Sequence, residues 1–465
     1  MLKYTRSLLL FAWALSPVLL FAQATPARKL KKLQQQFVDD RFGMFIHFNI
    51  PTYMDADWAD PEAQASLFNP GKLDCDQWAK AAKSANMTYG CITTKHHSGY
   101  CIWNTKSTPY NVMNSPLKKD VVKEFADAFR ANGLKVWLYY SILDTHHKLR
   151  PNQITPKHID MVKTQITELL TRYGKVEALV IDGWDAPWSR ISYDEIPFDE
   201  IYRLVKSLQP DCLIMDLNGA KYPAEALYYT DIKTYEMGAG QRMGKERNLM
   251  PSLACLPLQS SWFWKTDFPA AAVKEPARLV NETLIPLNNA KCNFILNVAP
   301  NRDGLFDDNA LAALREIGRI WKNEGPVEAL GDMDAPIISS NLAKGKPANS
   351  SWSDDMNIMD FANDDNFRTA WRSNPTVKEP WLEIDFKSAK TFNAVVIAEP
   401  KANITKYLLE VFSNGAWKPI EAGTNPGRVK VHRFKPVTGT KVRVKIEAYA
   451  SQPAIAEFEV YDEGK

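Results

Sequence analysis

Polar residues that close short apolar runs are the ones a fold can bring to a shared site, and this chain has five such endings. His47 ends Phe45-Ile46-His47, His96 and His97 follow Lys95, and Tyr139 leads Tyr140-Ser141. Asp182 follows Ala178-Leu179-Val180-Ile181 and precedes Gly183, and Glu236 follows Tyr235. A carboxylate behind four apolar residues is costly to desolvate and is kept only with partners, which marks Asp182 as functional. Glu236 is backed by Gly238, Gly240 and Gly244, a pliable stretch. Two carboxyls about 5 to 5.5 Å apart can cleave an acetal, one attacking the carbon and the other protonating the leaving oxygen. Asp57, Asp60, Asp185, Asp231 and Glu246 compete for either role. His47, His96, His97, His146 and His147 lie at or beyond the first three apolar runs and invite a metal reading. Adjacent strand residues point to opposite faces, however, so His96 and His97 share an ion only if the backbone turns. Neutral imidazoles serve equally as donors and acceptors for hydroxyl-rich ligands. No catalytic metal is expected, and His146, His147, His158 and His432 read as core or loop residues.

The elements that must position these residues form a regular series. Apolar runs at 43–48, 89–94, 135–141, 177–181, 212–215, 228–235, 252–258 and 293–298 alternate with stretches of helical period, such as 75–85 and 121–131. Eight βα units in under 300 residues predict an α/β fold, a (β/α)8 TIM-like barrel spanning 25–324, whose strand ends face one site. An open doubly wound sheet is the alternative, but no glycine-rich phosphate loop follows the first run. Periodicity lapses over 325–340, a linker. From 341 to 465 short strands with frequent turns predict an all-β sandwich.

Of 465 residues, 45% are hydrophobic and 24% charged, a globular profile. The formal charge is +3, and two of those cations, Lys3 and Arg6, belong to the expected leader, so near-neutrality argues against nucleic acid as the main partner. Residues 1–24 read as a signal peptide: a basic start, an apolar run interrupted by Pro17, and Ala22-Gln23-Ala24 at the cleavage site. Export to the periplasm or the extracellular space is expected, with no membrane span in the mature chain. The six cysteines lack any CxxC pair and read as buried thiols. Fourteen Trp are a weak hint of sugar-stacking surfaces.

Several motifs resemble glycoside hydrolase family 29, the retaining α-L-fucosidases. They are Arg41 to Phe48 (RFGMFIHF), Asp57-Trp58, Phe68 to Trp78 (FNPGKLDCDQW), Lys95 to Trp103 (KHHSGYCIW), Asp120-Val121-Val122, Gly133-Leu134-Lys135 and Asn297 to Gly304 (NVAPNRDG). The resemblance covers about residues 38–325. It implies exo-acting hydrolysis of terminal α-L-fucose from fucosylated oligosaccharides or glycoconjugates. Trp262-Phe263-Trp264 is similar to the branch that takes α-1,3/1,4 branched fucosides. By position, Asp182 resembles the nucleophile and Glu236 the acid/base, with Glu246 as rival. His47, Asp57, Trp58, His96, His97 and Tyr139 resemble the fucose pocket, with Trp103 close by and Trp262 added. The sequence departs from the family where His96-His97-Ser98-Gly99-Tyr100 replaces His-His-Asp-Gly-Phe, where Val180-Ile181 precede Asp182, and where Lys233 and Thr234 replace an Arg and a Trp. Lys lacks the Arg fork, so leaving-group recognition differs there. Asn341 to Pro347, Thr369 to Arg372, Pro380 to Phe386 and Glu457 to Tyr461 resemble a discoidin-like F5/8 type C domain, a module that often holds a structural calcium. No cofactor is required for the implied chemistry. The rival expectations are a catalytically impaired glycan-binding protein, a related glycosidase acting on an α-galactoside, and a metal-dependent hydrolase.

Overall fold

The computed structural model describes residues 26–244, 248–424 and 427–464. The leader and Glu246 lie outside them. Eight parallel strands form the first sheet: β1 (Phe42–Ile46), β2 (Tyr89–Lys95), β3 (Lys135–Ser141), β4 (Ala178–Asp182), β5 (Leu213–Asp216), β6 (Lys233–Glu236), β7 (Ser252–Pro257) and β8 (Cys292–Asn297). Hydrogen-bonded neighbours run β5-β4-β3-β2-β1-β8-β7-β6, so the sheet curls into a barrel with one seam, between β5 and β6.

Strand parity sorts the core. Phe45, Cys91, Trp137, Tyr139, Ala178, Val180 and Met215 fill the interior, while Met44, Ile46, Ile92, Leu138, Ile181 and Ile214 pack on the other face in the larger core cluster with helix residues such as Phe125 and Leu169. Asp182 shares the inward parity of Ala178 and Val180, as His47 shares that of Phe45. Gly90 leaves the room that Phe129 occupies, since a Cβ there would fall 2.1 Å from its ring.

The expected sixth strand at 228–235 is shorter than predicted and begins at Lys233. Tyr229 has φ +53, which breaks extended pairing, and Tyr228 bridges Ile337 instead. The approach to β6 supplies side chains where the β5–β6 seam has no ladder. The Asp231 carboxylate accepts from Ile214 N–H at 2.9 Å, Tyr202 OH at 2.8 Å and Lys206 Nζ at 2.7 Å, and its own N–H donates to Ile214 C=O. Thr230 Oγ1 accepts from Asp216 N–H, and the Thr234 hydroxyl donates to Asp216 C=O. Asp231 is therefore a seam residue, not a candidate for acid chemistry.

Full helices follow β1, β2, β3, β4 and β8, for example Val121–Ala131 after β2, but only the 3-10 turn Gly219–Lys221 separates β5 from β6. The second module covers that gap. Its strands are β9 (Ala348–Ser350), β10 (Trp371–Arg372), β11 (Trp381–Ala398), β12 (Ile404–Ser413), β13 (Ala416–Thr424), β14 (Val429–Tyr449), β15 (Ala454–Ile455) and β16 (Glu457–Tyr461). They pair antiparallel as β13-β12-β14-β11-β16 and β10-β15, with β9 on β11, around Trp371, Leu382, Ile384, Leu409, Val444 and Phe458. Two predicted runs merge into β11, whose register against β14 breaks between Asp385 and Lys390. Ala394, Val396, Val431 and Tyr461 join the barrel's own core, and Tyr228 OH donates to Glu459 at 2.7 Å. The segment 325–340 packs along the first helix, where Val327 and Leu330 N–H groups donate to Asp39 and Gln35.

Replacing Asp231 by Ala leaves Tyr202 OH and the Ile214 N–H without their acceptor, leaves Lys206 only the Cys212 carbonyl, and opens the seam. Denaturant unfolding should show a loss of about 3 kcal/mol. A change within about 0.5 kcal/mol would show that the seam does not depend on this carboxylate.

Candidate active site

The carboxyl ends of the strands enclose a cavity of ≈380 Å³ lined by Phe45, His47, Asp57, Trp58, His96, His97, Asp182, Trp188, Leu217, Glu236, Ala239 and Trp262. Asp182 and Glu236, from β4 and β6, open on the same space. Asp182 is buried and held at both oxygens: Tyr139 OH donates to Oδ2 at 2.7 Å and Asn218 Nδ2 to Oδ1 at 2.9 Å. Tyr139 is thus placed beneath the cavity as a support of Asp182. Burial and then the nearby Asp182 push the Glu236 carboxyl up from its ordinary value to about 8. A proton therefore stays on Glu236 at neutral pH.

Three imidazoles form the polar floor. His47 Nδ1 pairs with Asn297 Oδ1 at 2.7 Å and His97 Nδ1 with Ser141 Oγ at 2.8 Å, which leaves each Nε2 toward the cavity side of the ring. Burial lowers His47 to about 3 and His97 to about 4, and holds His96 well below the usual range, so all three are neutral donors and acceptors. His97 Nε2 lies 3.7 Å from Asp182. The parity argument that would separate His96 from His97 fails here. A register break between Thr93 and Lys95 and the turn after β2 bring both rings to one side, centroids 3.9 Å apart. Behind this turn, buried Lys95 pairs with Asp144 at 3.3 Å, and Asp144 also accepts from His147. Among the described residues no three His, Cys, Asp or Glu side chains are grouped as metal ligands.

Asp57 reaches the cavity from the loop after β1. Burial opposes its charge, but the Ser261 hydroxyl at 2.5 Å, the Phe263 N–H at 3.1 Å and Lys265 hold the carboxyl below its ordinary value. This ties the β1 loop to the β7 loop that carries Trp262. Trp58 is half-exposed at the rim.

Trp103 is the expected site residue that the fold takes elsewhere. It is fully buried in the core, and its Nε1–H donates to Glu168 at 3.0 Å on helix Pro156–Arg172, because the chain turns outward after Gly99. Lys233 also points away from the cavity, donating to the carbonyls of Tyr222 and Pro223. Asn218, Ser141, Asn297 and Trp188 emerge only from the structure. Asn218 lies two residues past β5, at the kind of strand end that yielded the other site residues. Trp188 sits in a loop without periodicity and left no such signal.

The Alpha-L-fucosidase family model matches residues 21–326, and the F5/8 type C domain model matches 344–459. Alpha-L-fucosidase 1 of Arabidopsis thaliana is 26% identical, over 94% of this chain and 87% of its own length. Alpha-L-fucosidase isoenzyme 1 from Paenibacillus thiaminolyticus has a similar structure, with a TM-score of 0.53 and 23% identity over 90% of this chain and all of that one. A Ruminococcus gnavus GH29 fucosidase solved in complex with fucose gives a TM-score of 0.51 and 19% identity, over 93% of this chain and 94% of its own.

The Glu236 carboxyl should titrate near pH 8 by carbon NMR of labelled protein. Asp182→Asn removes a neighbouring negative charge and should move that titration downward. An unchanged midpoint would show that the two groups do not face one another.

Proposed function

The chain belongs to the α-L-fucosidase family of glycoside hydrolases, and on that premise we propose that it is an exo-acting retaining α-L-fucosidase working through Asp182 and Glu236. The observation that carries this reading is the pairing of a pinned, buried Asp182 with a protonated Glu236 across one cavity. Asp182 attacks the anomeric carbon while Glu236 gives its proton to the departing glycosidic oxygen, leaving an ester of inverted configuration. The deprotonated Glu236 then takes a proton from water, which attacks the same carbon, expels Asp182 and restores the configuration. His47, His96, His97 and Asp57 supply donors and acceptors for sugar hydroxyls. Phe45, Leu217 and Trp262 form an apolar side that suits the methyl of a 6-deoxy sugar better than the hydroxymethyl of a galactoside. The resemblance of Trp262-Phe263-Trp264 supports α-1,3/1,4 branched fucosides on glycans as substrates, and the leader read at residues 1–24 supports export. No cofactor enters these steps.

We also propose a structural calcium in the second module, as its family resemblance implies. Glu457 Oε2 is buried with no hydrogen-bond partner, and Asn366 N–H donates to both Glu457 Oε1 at 2.8 Å and Asp364 Oδ1 at 3.1 Å, so two carboxyls adjoin. Glu457 and Asp364 would hold the ion, with backbone and hydroxyl oxygens completing a hard-cation shell.

Asp182→Asn should lower kcat by about a thousandfold or more. Glu236→Ala should spare an activated aryl fucoside far more than a fucosylated oligosaccharide. Because the acid works only when protonated, wild-type turnover should fall as pH rises through about 8, and that limb should vanish in Glu236→Ala. Full activity in Asp182→Asn would overturn the assignment. A panel of α-1,2, α-1,3, α-1,4 and α-1,6 fucosides tests the linkage, with α-1,3 and α-1,4 bonds cut fastest. Calcium should raise the melting temperature of the wild type but not of Glu457→Gln, and equal shifts would remove the ion from that place.

A further inference from the structure

The cavity has two zones. On its floor His47, His96, His97 and Asp182 are 4 to 6% exposed, whereas Trp58 and Trp188 at the mouth are 46% and 41% exposed. The two indoles stand at 86° with centroids 5.2 Å apart, forming a corner open to solvent, and Trp188 lies 4.3 Å from the His97 ring. The loop that presents Trp188 is closed on itself. Asp185 N–H donates to Ile191 C=O at 2.7 Å, Arg190 N–H to Ala186 C=O at 2.8 Å, and buried Trp184 anchors its base through Ile196 C=O. Asp185 and Arg190 both adopt positive φ, and Lys221 pairs with Asp185. Such a built loop fixes a large apolar ring half in water, beside a cavity whose floor is polar.

We propose that Trp188 forms a second sugar subsite, stacking on the saccharide that leaves when the terminal residue is cut. The inference rests on the fucosidase reading and names the part of the substrate that reading leaves open. A terminal sugar directed to the floor places its aglycone at the mouth, where a pyranose ring offers a CH face to one indole and hydroxyls to water. The preferred substrates are thus oligosaccharides rather than fucosides of small alcohols.

The test compares a fucosylated oligosaccharide with α-L-fucosyl fluoride, whose leaving group has no ring. Trp188→Ala should lower kcat/KM for the oligosaccharide about tenfold, chiefly through KM, and leave the fluoride within about twofold. Trp188→Phe should recover part of the loss, and inhibition by free fucose should be unchanged in both variants. Equal losses on both substrates, or weakened fucose inhibition, would place Trp188 in the terminal-sugar pocket and overturn the subsite. No loss on either would also overturn it. Wild-type enzyme inert toward both substrates would instead sink the fucosidase reading, and this inference with it.

Discussion

The governing constraint is that buried Asp182 and partly buried Glu236 share one cavity and cannot both be charged at little cost. Asp182 takes two donated hydrogen bonds, from Tyr139 and Asn218, which pin both of its oxygens. Glu236 is left with burial and a like charge, both of which retain its proton. This asymmetry divides the two carboxyls, one pinned by donated hydrogen bonds and the other raised by burial and its charged neighbour. The neutral histidines around them add polarity but no charge, so they do not blur that division.

The asymmetry demands a rigid frame, and the barrel supplies it unevenly. Strands β1 to β4 carry regular helices, whereas the β5–β6 side, which bears Asn218 and Glu236, lacks a full helix and even a ladder. There the chain uses buried side chains instead. Asp231 bonds like a strand across the seam, and the sandwich packs where helices would stand. The half of the site carrying Glu236 is therefore the half braced by the second module.

Much of this was legible in the sequence wherever a regular period governed the outcome. The order of eight strands, the helix at 121–131 and the strand-end positions of His47, Asp182 and Glu236 follow from apolar periodicity, because parity decides which side chains face inward. Parity failed at His96 and His97, where a register break re-aims the chain, and at 228–232, where a positive φ ends extended pairing. Trp103 was misplaced because a motif carries order along the chain but not the direction of a loop after a turn. Asn218 was overlooked because strand five seemed to stop at Met215, one residue before its observed end.

The shared core between the modules has a consequence for how the molecule comes apart. Ala394, Val396, Val431 and Tyr461 interdigitate with barrel side chains, and Tyr228 reaches into the sandwich to Glu459. Cutting the chain near residue 340 would therefore bare an apolar face and strand a phenol, yielding a sticky fragment rather than a smaller enzyme. Melting of the whole should be a single cooperative event, so that catalytic lifetime falls with the sandwich as much as with the barrel.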